Sequence, residues 1–254
     1  MHTTIAVSAA PIVSENGGRR LSIALAAPPS EIEEAQRLRW QVFAGEMGAR
    51  LGGEHGIDQD VYDAFCDHLI VRDVEADVVV GTYRILPPAA ARAVGRYYSE
   101  SEFDLTRLHH LRDNMVELGR SCVHPDYRTG GVINLLWAGL ARYMQAGGHE
   151  YLIGCASICM SDGGHAAASI YRDLEKEHLS PAEYRVVPRC RLPLEALESR
   201  PGHALPPLIK GYLRLGAWIC GEPAWDPDFN TADLLMLMPL SRIQPRYLKW
   251  LFGR

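Results

Sequence analysis

Asn114-Met-Val-Glu-Leu-Gly-Arg-Ser-Cys-Val123 leads through His124-Pro-Asp-Tyr-Arg-Thr-Gly-Gly131 into Val132-Ile-Asn-Leu-Leu-Trp-Ala-Gly-Leu-Ala-Arg-Tyr-Met-Gln-Ala146. The first run is mostly apolar and reads as a strand. The second holds Pro and paired glycines and reads as a turn. The third has helical periodicity and is closed by Gly147-Gly148, where a helix end favours a residue free to turn left-handed. Tyr151 to Ala156 follows as a buried strand. The chain therefore contains a strand–turn–helix crossover.

Upstream, Arg20 to Ala26 reads as a strand stopped by Pro28-Pro29. Ser30 and Glu33 have capping-box spacing, and Ile32, Ala35, Leu38, Val42 and Phe43 share one face of a helix expected to end near Gly45. Residues 45–60 carry Gly45, Gly48, Gly52, Gly53 and Gly56 and read as a long lid or binding loop. Asp67 to Arg72 and Val78 to Leu86 form a hairpin. Downstream, Ala166 to His178 reads as a helix and Tyr184 to Leu192 as a strand interrupted by Pro188. Pro206-Pro207 opens a helix through Leu215, and Leu234 to Met238 is a last strand. Because several strands precede the crossover, the class is α/β with a mixed sheet. The expected organisation is a flexible tail over 1–18, a single domain over 19–240 and a basic, aromatic tail over 241–254.

The 254 residues include 26 Lys plus Arg and 31 Asp plus Glu, a net charge of −5, with 47% apolar residues. That balance excludes a disordered chain, a collagen-like chain and a strongly basic nucleic-acid binder. No stretch approaches the roughly 20 continuous apolar residues of a membrane span. The N-terminal run lacks the basic residues of an export signal. Six cysteines are scattered among apolar neighbours, which suggests buried thiols in a reducing cytoplasm. Cys155 and Cys159 have no second pair at finger spacing, so no metal site is expected.

Three features bear on chemistry. Arg128, Thr129, Gly130 and Gly131 join a strand to a helix N-terminus, where exposed N–H groups and the helix dipole favour a phosphate. A plain glycine-rich turn has the same residues. Glu117 and Arg120 are ionisable residues in an apolar strand. Their three-residue spacing puts them on opposite faces unless a bulge at Gly119 reorients one. A buried structural ion pair with Arg84 or Arg39 is the alternative. Asp58, Asp60 and Asp63 end the glycine loop, where acidic clusters are commonly solvated.

Arg39-Trp-Gln-Val-Phe43, Asp60-Val-Tyr-Asp63, Gly81-Thr-Tyr-Arg84 and Glu117-Leu-Gly-Arg120 occur here in the order and spacing of acyl-homoserine lactone synthases, members of the GNAT acyltransferase superfamily. Arg120 to Gly131, Leu135 to Leu140, Leu208 to Ala217 and Gly221 to Asn230 resemble a sister group more closely, the "hemolysin-like" ornithine-lipid N-acyltransferases. The resemblance covers about residues 20–240. It implies a GNAT-like fold with a sheet splayed beside the Glu117 strand. The implied donor is a 3-hydroxyacyl chain on the 4'-phosphopantetheine arm of acyl carrier protein, and the implied acceptor is the α-amine of L-ornithine. The implied product is lyso-ornithine lipid, the first intermediate of ornithine lipid biosynthesis.

Under that resemblance Glu117 is the candidate base, with Arg120 beside it, and Tyr171 stands where many GNAT enzymes place a tyrosine acid. A packed helix tyrosine is the alternative for Tyr171. A backbone N–H near Cys122 is a candidate oxyanion donor. Arg39, Phe43, Asp60, Asp63 and Arg84 are carried over as substrate-site positions, with Arg39 or Arg84 for the acceptor carboxylate. Asp60, Asp63, Asp226, Asp228 and Asp233 are candidates for its side-chain ammonium, although Asp226 beside Pro227 also suits a turn. Arg128 to Gly131 would take the arm's phosphate. Arg92, Arg96, Arg107 and Arg112 could dock acidic carrier protein, and the C-terminal basic segment could touch an anionic membrane. The rival readings are a lactone synthase, a coenzyme A N-acetyltransferase and a non-catalytic membrane binder. Against coenzyme A, the Arg128 to Gly131 turn is shorter than the usual pyrophosphate loop.

Overall fold

The apolar runs fold as strands, and the stretches punctuated by Gly and Pro fold as turns and short helices. The computed structural model describes residues 12–16, 18–52, 56–200 and 202–247. In chain order the strands are β1 (Ile12–Asn16), β2 (Arg19–Leu25), β3 (Asp67–Asp73), β4 (Val78–Leu86), β5 (Phe103–Asp104), β6 (Met115–Val123), β7 (Tyr151–Cys159), β8 (Val187–Pro188), β9 (Trp218–Ile219), β10 (Ala224–Asp226) and β11 (Thr231–Pro239). The α-helices are α1 (Pro29–Trp40), α2 (Pro88–Val94), α3 (Gly131–Gly147), α4 (His165–His178) and α5 (Pro207–Leu215). The fold is α/β, a mixed sheet flanked by helices.

The chain divides into two compact units. The first takes residues up to Pro87, Leu118–His149 and the residues from Pro245 on. Its strands run β1-β2-β3-β4, antiparallel at each pairing, with the later part of β6 next to β4. Helix α3 lies directly on this sheet because two glycines remove side chains at the crossing. A Cβ on Gly81 would sit 2.3 Å from Val132 Cγ1, and one on Gly139 would sit 2.5 Å from Ile23 Cδ1. Both distances are inside van der Waals contact, so a side chain at either position must push the Val132 or Ile23 side chain aside.

The second unit takes Pro88–Glu117 and Glu150–Gln244. Here β6 runs parallel to β7 for three pairs, Met115↔Tyr151 to Glu117↔Ile153, and the ladder then ends. β7 stays paired to antiparallel β11 as far as Cys159↔Thr231. β11 also pairs with β9 and β10. The expected parting of the sheet beside the Glu117 strand corresponds to this early end of the β6–β7 ladder.

Several local expectations are corrected. Residues 12–16 of the expected tail form β1, whereas 1–11 and 17 lie outside the described residues. The Ser30/Glu33 capping box does not form. α1 begins one residue earlier, with Pro29 at its first turn; Glu31 accepts the Ala27 N–H and Glu33 pairs with Arg37. The end of the predicted helix is a π-helical turn over Gln41–Glu46. The Tyr184 to Leu192 strand shrinks to β8, since Pro188 has no N–H to give a ladder. Of the basic, aromatic C-terminal segment, 248–254 lies outside the described residues. Among the described residues, no helix is long and apolar enough to cross a membrane.

Candidate active site

Glu117 lies on β6 in the second unit and is 3% exposed. Its carboxylate is held by the turn that follows α2. Oε2 accepts the Tyr98 N–H at 2.5 Å, and Oε1 accepts the Ser99 N–H at 2.7 Å and the Ser99 hydroxyl. That turn is itself fixed. The Tyr97 hydroxyl donates to the Met115 carbonyl at 2.7 Å, and the Tyr97 N–H donates to Glu100 at 2.6 Å. Burial, with Glu117 nearby, holds the Tyr97 phenol protonated well past its usual range. A carboxylate gripped in this way is oriented as well as charged.

In the first unit, Arg39, Arg84 and Arg120 interlock with Asp58, Asp60 and Asp63. Arg39 donates to Asp58 Oδ2, to Asp63 Oδ1 and to the Asp58 carbonyl, each at 2.7 Å, and to Asp63 Oδ2 at 3.2 Å. Arg84 reaches Asp60 at 2.7 Å and Asp63 at 3.1 Å. Arg120 reaches Asp58 at 3.1 Å and Asp60 at 3.3 Å. Arg120 adopts φ +50°, a left-handed conformation that L residues rarely take. Burial works to raise the Asp63 carboxyl, but Arg39 and Arg84 outweigh it and hold the group well below the usual range. Asp58 and Asp63 are buried, which corrects the expectation of a solvated cluster. The physical reason is charge balance: three cations meet three anions. The Arg39 side chain is 0% exposed, so it anchors the glycine loop to α1 and presents no surface to a ligand carboxylate. Phe43 is buried on the π turn. Asp60 and Arg120 form the accessible rim, at 26% and 12%.

At the corner between β6 and α3, Gly130 takes φ +96° and no side chain caps the helix. A Cβ on Gly130 would meet nothing within 4 Å. Thr129 is exposed. The first turn of α3 thus has no side-chain cap, the condition under which a helix start can accept an anion such as the phosphate of a pantetheine arm. Arg128, the cation of this corner, is clamped by Glu46 at 2.9 and 3.0 Å.

Asp233, one of the candidates for the acceptor ammonium, has a partner that the sequence did not reveal, Glu102. Glu102, Cys155 and Asp233 bring a carboxylate oxygen, a sulfur and a second carboxylate oxygen within 4.8 Å of one another. Burial pushes Glu102 up to about 9, with Asp233 and Asp226 adding to the shift, and burial also raises Asp233. Cys155 Sγ lies 3.4 Å from the Ser99 hydroxyl that serves Glu117, so a polar chain links Glu117, Ser99, Cys155 and the acid pair. The signal was legible: Asp233 is the lone charge in the apolar run Thr231-Ala-Asp-Leu-Leu-Met-Leu-Met238.

The family described as "Acetyltransferase (GNAT) domain" matches residues 38–138. The L-ornithine N(alpha)-acyltransferase of Agrobacterium fabrum is 40% identical over 252 residues, covering 92% of this chain and 85% of its own. The protein of that name from Rhodobacter capsulatus is 38% identical, covering 89% and 92%. The chain belongs to the L-ornithine N(alpha)-acyltransferase family. It is an acyltransferase on the GNAT fold. In structure it is similar to the acyl-homoserine lactone synthase LasI (TM-score 0.55, 15% identity, 93% and 96% covered). It is also similar to FeeM, an N-acyl amino acid synthase from uncultured soil microbes (TM-score 0.51, 12% identity, 88% and 92% covered).

In this member of the family, Tyr171 is buried on α4. Burial pushes its phenol up to about 12, with the charge of nearby Glu175 adding to the shift. That placement matches the packed-tyrosine alternative. Asp226 Oδ1 accepts the Asp228 and Phe229 N–H groups at 2.8 and 3.1 Å, the turn chemistry weighed for it, and Asp228 is exposed. Arg92 pairs with exposed Asp113, Arg112 with Glu100, and Arg107 with the Ala182 carbonyl. Cys122 and Cys220 are buried, but Cys159 and Cys190 are exposed, which corrects the expectation that every thiol is buried.

Proposed function

We propose that the chain moves a 3-hydroxyacyl group from acyl carrier protein to the α-amine of L-ornithine, giving lyso-ornithine lipid. The observation that carries the reading is identity of 35% or more to L-ornithine N(alpha)-acyltransferases along about nine-tenths of the chain. The held carboxylate of Glu117 supplies the chemistry the reaction needs.

An α-ammonium is not a nucleophile, so a proton must leave before attack. Glu117 takes it, directly or through a water. The neutral amine attacks the thioester carbonyl, the C–N bond forms, and an oxyanion develops. A backbone N–H of β6 beyond Glu117 is the donor for that charge, because the ladder to β7 has ended there. The C–S bond then breaks, and the thiolate takes a proton given up by the amine. The pantetheine phosphate rests at Thr129 to Gly131, where the uncapped start of α3 supports the assignment. Within the first unit Asp60 and Arg120 stay partly exposed, and Arg39, Arg84 and Asp63 keep that rim in place. The product is amphipathic, so the reading includes release at the cytoplasmic face of an anionic membrane, with the basic C-terminal segment in peripheral contact.

Mass spectrometry of lipids from a bacterial host expressing the chain tests the reading. An N-(3-hydroxyacyl)ornithine is expected, and a diffusible lactone with no acylated ornithine overturns it. Competition between acyl carrier protein and coenzyme A thioesters in vitro tests the donor.

A further inference from the structure

Side chains alternate across a sheet, so paired residues share a face. Glu117 pairs with Ile153, and Cys155, Ser157 and Cys159 continue that face along β7. Asp233 lies opposite Ser157 and Thr231 opposite Cys159, so both join it. The face is closed at Ile153 and opens along the strand, since Ser157 and Cys159 are exposed. Asp233, 4% exposed, therefore sits at the inner end of an accessible strip.

What Asp233 meets there is unusual. Glu102, Asp226 and Asp233 repel one another, and among the described residues none of them forms an ion pair with a Lys or Arg. Glu102 Oε2, Asp233 Oδ1 and Thr231 Oγ1 are buried without a hydrogen-bond partner. Glu102 and Asp233 bring carboxylate oxygens within 4.8 Å of each other without a hydrogen bond between those orphaned atoms. Two orphaned carboxylate oxygens and an unpartnered threonine hydroxyl, beside negative charge that no Lys or Arg balances, suit a cation with several N–H donors. A primary ammonium carries three donors and no acceptor. The other acidic cluster, Asp58, Asp60 and Asp63, is already neutralised by arginines.

We propose that Glu102 and Asp233, with Thr231 beside them, bind the side-chain ammonium of a diamino acid acceptor and select it over acceptors with neutral side chains. This rests on the acceptor reading above. The ammonium would end about one polar chain away from Glu117, which keeps its two amines apart: one held by the acid pair, the other presented for acylation. The proton held by the empty pair leaves to solvent when the cation arrives.

Acceptor kinetics test this. With a 3-hydroxyacyl carrier-protein donor, kcat/KM is measured for L-ornithine and for L-norvaline, which has the same carbon chain without the side-chain amine. The native enzyme is expected to favour ornithine by roughly 100-fold, the cost of leaving buried charges unpaired. Asp233→Asn and Glu102→Gln should raise the ornithine KM by about 30-fold or more, leave kcat within a few-fold, and leave norvaline unchanged, so the preference collapses. Should Asp233→Asn fail to fold, Asp233→Ser and the native comparison still decide. An unchanged preference in folded variants, or a native enzyme indifferent between the two acceptors, overturns the inference while acylation of ornithine still upholds the function. A stoichiometric divalent metal in the purified enzyme that is lost in Asp233→Asn also overturns it, by giving the cluster another occupant. No N-acylornithine with any donor overturns the acceptor reading itself.

Discussion

Arg39 holds Asp63 through two N–H···O bonds, of 2.7 and 3.2 Å, with neither side chain more than 2% exposed. A buried pair of this kind is costly to break from one side, because three arginines would then face only two carboxylates in a site largely closed to water. Asp63→Asn should lower unfolding free energy by about 3–5 kcal/mol, read by urea denaturation. A loss under about 1 kcal/mol would mean that the site is more solvated than its geometry indicates.

The same residue fixes an acid limb. Asp63 is depressed in the folded state, so its contribution is complete above the ordinary carboxylate value of 3.8 and is lost as pH falls further. Urea midpoints between pH 6 and 3 should therefore hold until about pH 4 for this group and then drop. The drop should be shallower in Asp63→Asn.

Glu102 works in the opposite sense. Its carboxyl is raised from 4.5 to about 9, so the folded protein binds that proton more tightly than the unfolded chain does. Stability from this group is present below 4.5 and declines as pH climbs toward 9. Glu102→Gln removes the titration, and its midpoint should fall less between pH 6 and 9. Parallel slopes for the two proteins would contradict the shift.

Glu117→Gln keeps the shape and one acceptor oxygen but cannot take a proton. Turnover should fall by ~10²–10⁴ with the melting temperature within a few degrees of native. Full activity in a folded variant would assign Glu117 to holding the Tyr98–Ser99 turn alone.

At the glycine corner, Thr129→Asp places a negative charge at the start of α3. The KM for the carrier-protein donor should rise roughly fivefold to tenfold while the ornithine KM stays put. A change confined to ornithine would move the donor phosphate elsewhere.

Much of the fold was legible because local rules sufficed. The β3–β4 hairpin follows from two apolar runs, and α3 from periodicity with glycines at both ends. The π turn was not legible, since Gln41 to Glu46 continues the helical pattern and only the backbone reveals the wider winding. Glu117 stood out as a charge in an apolar strand, but its partners Tyr98 and Ser99 lie in an irregular stretch with no pattern to read. The ion network was half legible: its six residues were each noted, yet their burial depends on pairings between residues as far apart in sequence as Asp58 and Arg120. Glu102 was hidden for a related reason. In Tyr98-Ser-Glu-Ser-Glu-Phe103 it resembles a solvated turn, and only folding brings it to Asp233.

Ionic strength should act unequally on the two arginine clamps. The pairs of Arg39 with Asp58 and Asp63 are sealed from solvent, so mobile ions barely screen them and the end of the glycine loop stays anchored in concentrated salt. The Arg128–Glu46 clamp is 46% and 34% exposed and is weakened by the same ions. Concentrated salt should thereby free Arg128 from its carboxylate while leaving the supporting framework intact.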